Sequence, residues 1–318
     1  MAEPLTTENA VPSVALVYDE LKEAPEMGFW KLALGRFLHH RIATLSMALL
    51  LLIILTAAVA PVLQGNLYKS LDYTHPYGAP IHLSISPPFL VGDWHHPLGT
   101  DDLGRDEFAR LARGARVSLT IGLMAMVGYL LIGGTFGALA GYYGGWIDQA
   151  LMRLTDIIIA SPFLLVVIAV TAAFGGVSLV KLIFIIAILG WFEIGRLMRA
   201  QFLSLRESEY VQAARALGAS DWRIISRHIL PNALTPIIIS ATLGISGVIL
   251  LEAALGFLGY SIPPPEPSWG NMLQAFEEYL LGNHYTLVIF PALALVVTAL
   301  CINLIGDGIR DALDPRQR

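Results

Sequence analysis

Apolar residues run along this chain in long, nearly unbroken blocks, not in the alternating or i, i+3, i+4 patterns of half-buried strands and helices. Blocks at about 42–63, 117–140, 157–174, 179–194, 234–257 and 286–305 stand out. A helix rises about 1.5 Å per residue and the hydrocarbon core of a bilayer is about 30 Å thick, so roughly 20 apolar residues cross it. Lipid offers the backbone no hydrogen-bond partner, which favours helices over open strands. The pattern therefore predicts an all-α polytopic membrane protein with about six transmembrane helices. An even count puts both termini on one side.

The polar intervals divide the chain further. Residues 1–28 carry Pro, Glu and Thr without periodicity and read as a disordered cytoplasmic tail. Residues 29–63 form an N-terminal segment and first transmembrane helix, starting too late for a cleaved secretory signal. Residues 64–116 make an external segment, and 117–318 a core domain of five transmembrane helices with a cytoplasmic loop at 199–232.

Charge sets the orientation, because Lys and Arg near span ends stay in the cytoplasm. With both termini cytoplasmic, fourteen of the twenty basic residues lie inside: Lys22, Lys31, Arg36, Arg41, Arg153, Arg196, Arg199, Arg206, Arg215, Arg223, Arg227, Arg310, Arg316 and Arg318. Lys69, Arg105, Arg110, Arg113, Arg116 and Lys181 fall outside. The four arginines before the second span oppose this assignment, but they are interleaved with Asp101, Asp102, Asp106 and Glu107, acids able to hold them in a folded external segment.

Composition removes several function classes. The chain is 55% hydrophobic and 14% charged, against about a quarter charged in soluble domains. A net charge of -5 without a basic run gives nucleic acid no electrostatic footprint. The one cysteine, Cys301, supports neither a disulfide nor a thiolate cluster, and the adjacent pairs His39–His40 and His95–His96 cannot converge on one ion, so no metal site is expected. HExxH, GxSxG, GxGxxG and GxxxxGK[ST] motifs are absent, which argues against an enzyme and against a phosphate cradle in this chain. The run Gly306, Asp307, Gly308 superficially resembles a membrane aspartyl protease, yet no second intramembrane aspartate accompanies it. His228, beside the fifth span, reads as a packing or interface residue.

Four features remain as candidate sites. Gly133, Gly137 and Gly141, with Gly134 beside them, clear one face of the second span for close helix packing, a flexible gating point being the alternative. Glu252 lies in the fifth span, where an ionisable group lines the pathway or makes an interhelical hydrogen bond. Pro263, Pro264, Pro265 and Pro267 stiffen an external loop, so that Glu266 and Trp269 can form a preformed contact surface; a Trp anchored at the lipid interface is the alternative. Lastly, the 199–232 loop is too patterned to be slack. Glu207, Glu209, Tyr210, Gln212, Ala213, Ala214 and Arg215 belong to a helix with acids in its first turn, which Gly218 terminates. Ser220 or Asp221 caps a second helix running to about Leu230, where Pro231 is expected to interrupt it. Paired alanines followed by glycine make a thin surface suited to a groove on another protein. A large side chain at 218 is not expected to fit the corner.

The order Gln212, Ala213, Ala214, Gly218, Leu230, Pro231 resembles the EAA loop of ATP-binding cassette importer permeases, with Gln212 for the usual glutamate and His228 where isoleucine is common. Pro97, Leu98, Gly99, Thr100, Asp101 and Asp102 through Asp106, Ala140 through Gly145, Ala254 through Gly259 and 303–315 are similar to the dipeptide and oligopeptide (C-type) permeases. The resemblance covers about 30–318. It implies a type I ABC importer permease fold in the inner membrane, whose cytoplasmic coupling helix docks into an ATPase. It further implies a second homologous permease subunit, two ABC ATPase subunits that hold ATP and Mg, and an extracytoplasmic substrate-binding protein. No cofactor is expected on this chain. Peptide is the implied substrate; dipeptides, longer peptides, glutathione, nickel chelates and opines all occur among such permeases. A free-standing secondary transporter fits the composition equally well, but the interrupted helices and midplane acids common in such carriers do not stand out.

Overall fold

The protein, seen in a computed structural model, is described for residues 29–64, 77–78, 82–83, 90–91, 96–175 and 177–313. The 1–28 tail and Lys22, Lys69, Arg316 and Arg318 of the charge argument lie outside the described residues. In chain order the helices are α1 Phe29–His39, α2 Arg41–Gln64, α3 Glu107–Tyr143, α4 Gly145–Ala160, α5 Phe163–Ala173, α6 Leu179–Gly190, α7 Phe192–Leu205, α8 Glu209–Ala216, α9 Asp221–Arg223, α10 Leu230–Phe257, α11 Trp269–Met272, α12 Phe276–Leu281 and α13 Thr286–Leu313. A π-helical stretch, Ile224–Ile229, joins α9 to α10. Two-residue strands, His82–Leu83 and Leu90–Val91, pair antiparallel.

Among the described residues, α2, α3, α10 and α13 are each long and apolar enough to cross a bilayer. The third and fourth apolar blocks depart from simple rods. The third is split into α4 and α5, which meet at 88°. Pro162 causes the break: it lacks an N–H, and it drives Ser161 into extended backbone at φ -91° and ψ 143°. The fourth block ends its apolar helix, α6, at Gly190, but Trp191 keeps helical dihedrals and leads directly into α7. One nearly continuous rod thus runs from the membrane block into the polar loop.

The axis of the fold is α3. Its 37 residues, about 55 Å at helical rise, exceed the lipid core, so an end projects. Asp106 caps that end by accepting from the Ala109 N–H at 2.6 Å. Three of the four troublesome arginines are paired there: Arg105 and Arg110 reach Asp101 at 2.7 and 3.4 Å, and Arg113 reaches Glu266 at 3.1 Å. Asp101 also accepts from the Leu103 and Arg105 N–H groups, which fixes the loop around it.

Along α3, the glycine face meets α7 backbone to backbone. A Cβ at 133 would stand 2.5 Å from the Trp191 carbonyl oxygen, one at 137 would collide with the Gly195 carbonyl oxygen, and one at 141 would lie 2.7 Å from that of Arg199. Nearer its start, α3 packs on α10 through Gly122 against Ile249 and Ser118 against Glu252, while α10 also packs on α13 and α13 on α2. Gly306 and Gly308 belong to these last contacts: a Cβ at 306 would press on Leu243, and one at 308 on Ala43 and Phe37. Asp307 between them is exposed, so this glycine pair serves helix packing. Leu45, Leu52, Leu55, Leu131 and Ile157 point outward, as expected of residues solvated by lipid.

The glycine seam yields the first prediction. Gly137→Leu has no free space on the α7 side and should destabilise the protein by about 2 kcal/mol or more. Gly35→Ala, where nothing lies within 4 Å, should be neutral or stabilising. Equilibrium unfolding in mixed detergent micelles reads both, and equal stabilities would remove the seam as a major contact.

Candidate coupling site

The polar loop is built outward from the end of α7. There the Arg206 side chain donates from Nη1 to the carbonyl oxygens of Gly141 and Tyr142 at 2.9 and 3.2 Å, and from Nε to Glu207 at 3.1 Å. A cation placed on the last carbonyls of α3 satisfies acceptors that the helix itself leaves open. Ser208 turns the chain in extended backbone, its hydroxyl donating back to the Leu205 carbonyl at 2.6 Å. Gln212 donates from Nε2 to the Glu207 carbonyl at 3.0 Å, and Glu209 occupies the first turn of α8.

Only Val211 of α8 is buried, and it joins the cluster that holds Phe202, Ile224 and Ile229. Glu207, Glu209, Tyr210, Gln212, Ala213 and Arg215 are exposed, Ala214 is half-buried. The helix ends at Gly218 with φ +80°, where the Gly218 N–H bonds the Arg215 carbonyl and the Ala219 N–H bonds that of Ala214. That is a Schellman closure, which requires left-handed backbone that glycine adopts without strain. Contrary to the expectation of a crowded corner, nothing lies within 4 Å of a Cβ at 218. Glycine is needed there for its dihedral, not for space within this chain.

The second half of the loop differs from expectation at two points. Ser220 occupies the cap position but makes no side-chain cap bond, while Asp221 accepts from the Tyr142 hydroxyl at 2.6 Å and ties the loop to α3. Pro231 does not interrupt the helix. The turn before it widens to π geometry, with the Leu230 N–H reaching the Ile225 carbonyl, and α10 then continues through Pro231 and Pro236. A proline ring presses on the carbonyl four residues back, and a wider preceding turn moves that carbonyl aside. Leu230 is half-buried and Pro231 exposed. Two residues that sequence reasoning passed over dominate the tip: Leu217 and Trp222 flank Gly218 at 89% and 77% exposure. Large apolar side chains on either side of a glycine in a polar loop were the available sign.

Behind the tip, α7 is clamped to α4. Arg199 holds Asp148 with both Nε and Nη2, and Arg196 reaches Asp156 at 2.6 Å. The loop, α7 and the glycine face of α3 are therefore one mechanical unit.

The other candidates divide. Glu252 is fully buried and accepts from the hydroxyls of Ser118 and Ser261 at 2.9 and 2.7 Å, so it makes interhelical hydrogen bonds and does not border a pathway. Trp269 must be withdrawn from both a contact surface and a lipid anchor. It is 1% exposed, its Nε1 donates to the Leu111 carbonyl at 3.0 Å, and Gly114 is the notch that admits its ring. The short helix it starts is closed by a capping box between Ser268 and Asn271. Glu266 stays partly exposed, paired with Arg113 at the rim of a cavity of about 700 Å³ that Arg116, Lys181 and Pro263 also line. Nearby, burial and the charges of Asp102 and Asp101 raise the pKa of Tyr279 above its ordinary value.

Comparison with known proteins gives a consistent result. Residues 133–318 match the family described as binding-protein-dependent transport system inner membrane component, and 28–80 match the N-terminal TM domain of oligopeptide transport permease C. The dipeptide transport system permease protein DppC of Alkalihalophilus pseudofirmus is 40% identical over 91% of this chain and 90% of its own length. The glutathione transport system permease protein GsiD of Pectobacterium atrosepticum is 36% identical over 96% and 95%, and the oligopeptide permease OppC of Bacillus subtilis 37% over 92% and 91%. A chain from inward facing MetNI methionine ABC transporter aligns with TM-score 0.48 and 19% identity, covering 64% of this chain and 96% of that chain.

The reassignment of Trp269 is testable. Trp269→Ala should destabilise the protein by about 3–5 kcal/mol, as truncation of a buried aromatic does. Thermal unfolding in detergent measures this, and an unchanged midpoint would return Trp269 to the surface.

Proposed function

Because the chain belongs to the family of binding-protein-dependent transport system inner membrane components, whose permeases serve ATP-driven importers, we propose the assembly and cargo through which it works. It is a multi-pass inner-membrane subunit that lines one half of a translocation channel, and membership in this family sets aside the free-standing secondary transporter. A second homologous permease completes the channel, two ABC ATPases bind from the cytoplasm and hold ATP and Mg, and an extracytoplasmic binding protein delivers substrate. Peptide is the cargo, in line with relatives named for dipeptide, oligopeptide and glutathione transport. This chain performs no hydrolysis itself; it converts motor movement into channel movement.

The observation that best supports this reading is the exposed tip of the loop set on a rigid shaft. Leu217 and Trp222 project beside Gly218, and Tyr210, Ala213 and Arg215 lie exposed on α8. An apolar anchor with a polar rim is how a helix seats in a groove. Closure of the ATPases displaces α8. The Schellman corner, the Tyr142–Asp221 bond and the Arg206 contacts pass the displacement to α7 and α3 without slack. The glycine seam then makes the spans tilt together, so the nucleotide state biases which side of the membrane the channel faces. Residues 207–218 are the motor contact, with Leu230 and Pro231 as the return of the loop into the membrane.

Two outcomes check the proposal. The double variant Leu217→Glu, Trp222→Glu should reach the membrane at normal levels yet lose at least about ten-fold in co-purified ATPase and in transport, since two anchors of roughly 1–2 kcal/mol each are removed. Full ATPase recovery with normal transport would refute the docking assignment. For orientation, single cysteines in a Cys301→Ser background should separate: Leu281→Cys, at a position 78% exposed, should react with an impermeant thiol reagent added outside, and Ser220→Cys should not. The opposite pattern would place the termini outside.

A further inference from the structure

Glu193 is a carboxylate-bearing residue in an unexpected place. It stands in the middle of the α6–α7 rod and lines a cavity of about 310 Å³ whose other walls include Met126, Tyr129, Ser240, Gly244 and Gly247. Met126 and Tyr129 sit midway along the apolar part of α3, and Gly244 and Gly247 midway along α10. Three independent helices therefore put the Glu193 cavity at the middle of the bilayer. Glu193 is nevertheless exposed in the isolated subunit; its charge acts on the Tyr129 phenol across the cavity, and among the described residues no hydrogen bond or ion pair holds it. The neighbouring cation on its own helix, Arg196, is taken by Asp156 at 2.6 Å.

An acidic side chain cannot face hydrocarbon at that depth without a cost of several kcal/mol, so it faces either water or another polar surface. The cavity walls favour a passage. Gly247 leaves bare backbone on the α10 side, with nothing within 4 Å of a Cβ there, Gly244 receives the Met126 side chain, and the aromatic pair Phe163–Phe192 edges the opening. A volume of about 310 Å³ is near the lower bound of about 300–1,000 Å³ for small-molecule sites, consistent with one wall of a chamber shared with a second subunit.

Resting on the importer reading above, we propose that Glu193 is the substrate-facing carboxylate of the translocation chamber and receives the cationic amino terminus of a peptide. In a chamber whose other polar groups are the hydroxyls of Tyr129 and Ser240, the one acid offers a charge-assisted hydrogen bond to an ammonium. It orients the peptide by the group every unmodified peptide shares and leaves sequence unread.

The test uses the reconstituted four-subunit-type complex with its binding protein in proteoliposomes. Uptake of dialanine and of N-acetyl-dialanine is measured for wild type and Glu193→Gln. The binding protein's own preference is common to both complexes and cancels in the ratio. The free-amine to N-acetyl uptake ratio should fall at least about ten-fold in Glu193→Gln, as expected for loss of one charge-assisted hydrogen bond. An equal loss for both peptides, or an unchanged ratio, overturns the assignment. So does failure of the Glu193→Gln subunit to hold the second permease, which would make the carboxylate an intersubunit pairing group. In parallel, Glu193→Cys in a Cys301→Ser background should react with a small cationic methanethiosulfonate reagent in the assembled complex. No reaction in a complex that imports peptide overturns the Glu193 inference alone. A wild-type complex that assembles with its ATPases but imports neither peptide removes the peptide reading, and the ligand named here with it.

Discussion

Backbone meets backbone where residues 133, 137 and 141 of α3 lie on α7, and the rest of the architecture is arranged around that seam. In lipid, apolar surfaces gain little by leaving one apolar medium for another, so two helices hold together through close van der Waals contact and hydrogen bonds. Glycine makes the first of these possible by bringing two rods to touching distance. The salt links from Arg196 and Arg199 to α4, and the Arg206 contacts to the end of α3, supply the second. A shaft assembled in this way bends little. Both ends of it are therefore committed together: the polar tip and the cavity beside Glu193 move as one piece.

At the opposite face the protein solves a different problem. Cations near a span would ordinarily favour the cytoplasmic side, yet Arg105, Arg110 and Arg113 are neutralised within a compact module at the start of α3 by Asp101 and Glu266. The same module buries Trp269 on Gly114 and satisfies Glu252 with two serine hydroxyls. Most polar atoms at this end of α3 and α10 are thus held by partners within the chain, the buried Glu107 Oε1 being the exception, so this end is tied down by hydrogen bonds and ion pairs.

How much of this was legible depended on whether a feature is local. The apolar blocks, the glycine spacing on α3 and the Gly218 helix stop are properties of short stretches, and the helices fall where those stretches do. The 88° break was also written locally, in Pro162, but a block of apolar residues on both sides obscured it. Trp269 was misplaced because burial is decided by what arrives from elsewhere: its pocket is a notch at Gly114, more than 150 positions away in the chain by the span of its hydrogen bond to Leu111. Glu252 and Glu193 carry the same side chain inside apolar helices, and only the surrounding helices distinguish the sealed one from the open one. Leu217 and Trp222 showed in the sequence only as large apolar residues beside a glycine in a polar loop; that they stay in water is decided by the fold around them.

Those two side chains also bear on the life of the subunit before assembly. A fresh copy in the membrane displays an oily knob to water, the kind of patch that attracts chaperones, proteases and other copies of itself. In the assembly proposed above, the groove of a motor subunit hides it. On that proposal, a copy without its ATPases stays visible to quality control until a partner covers it.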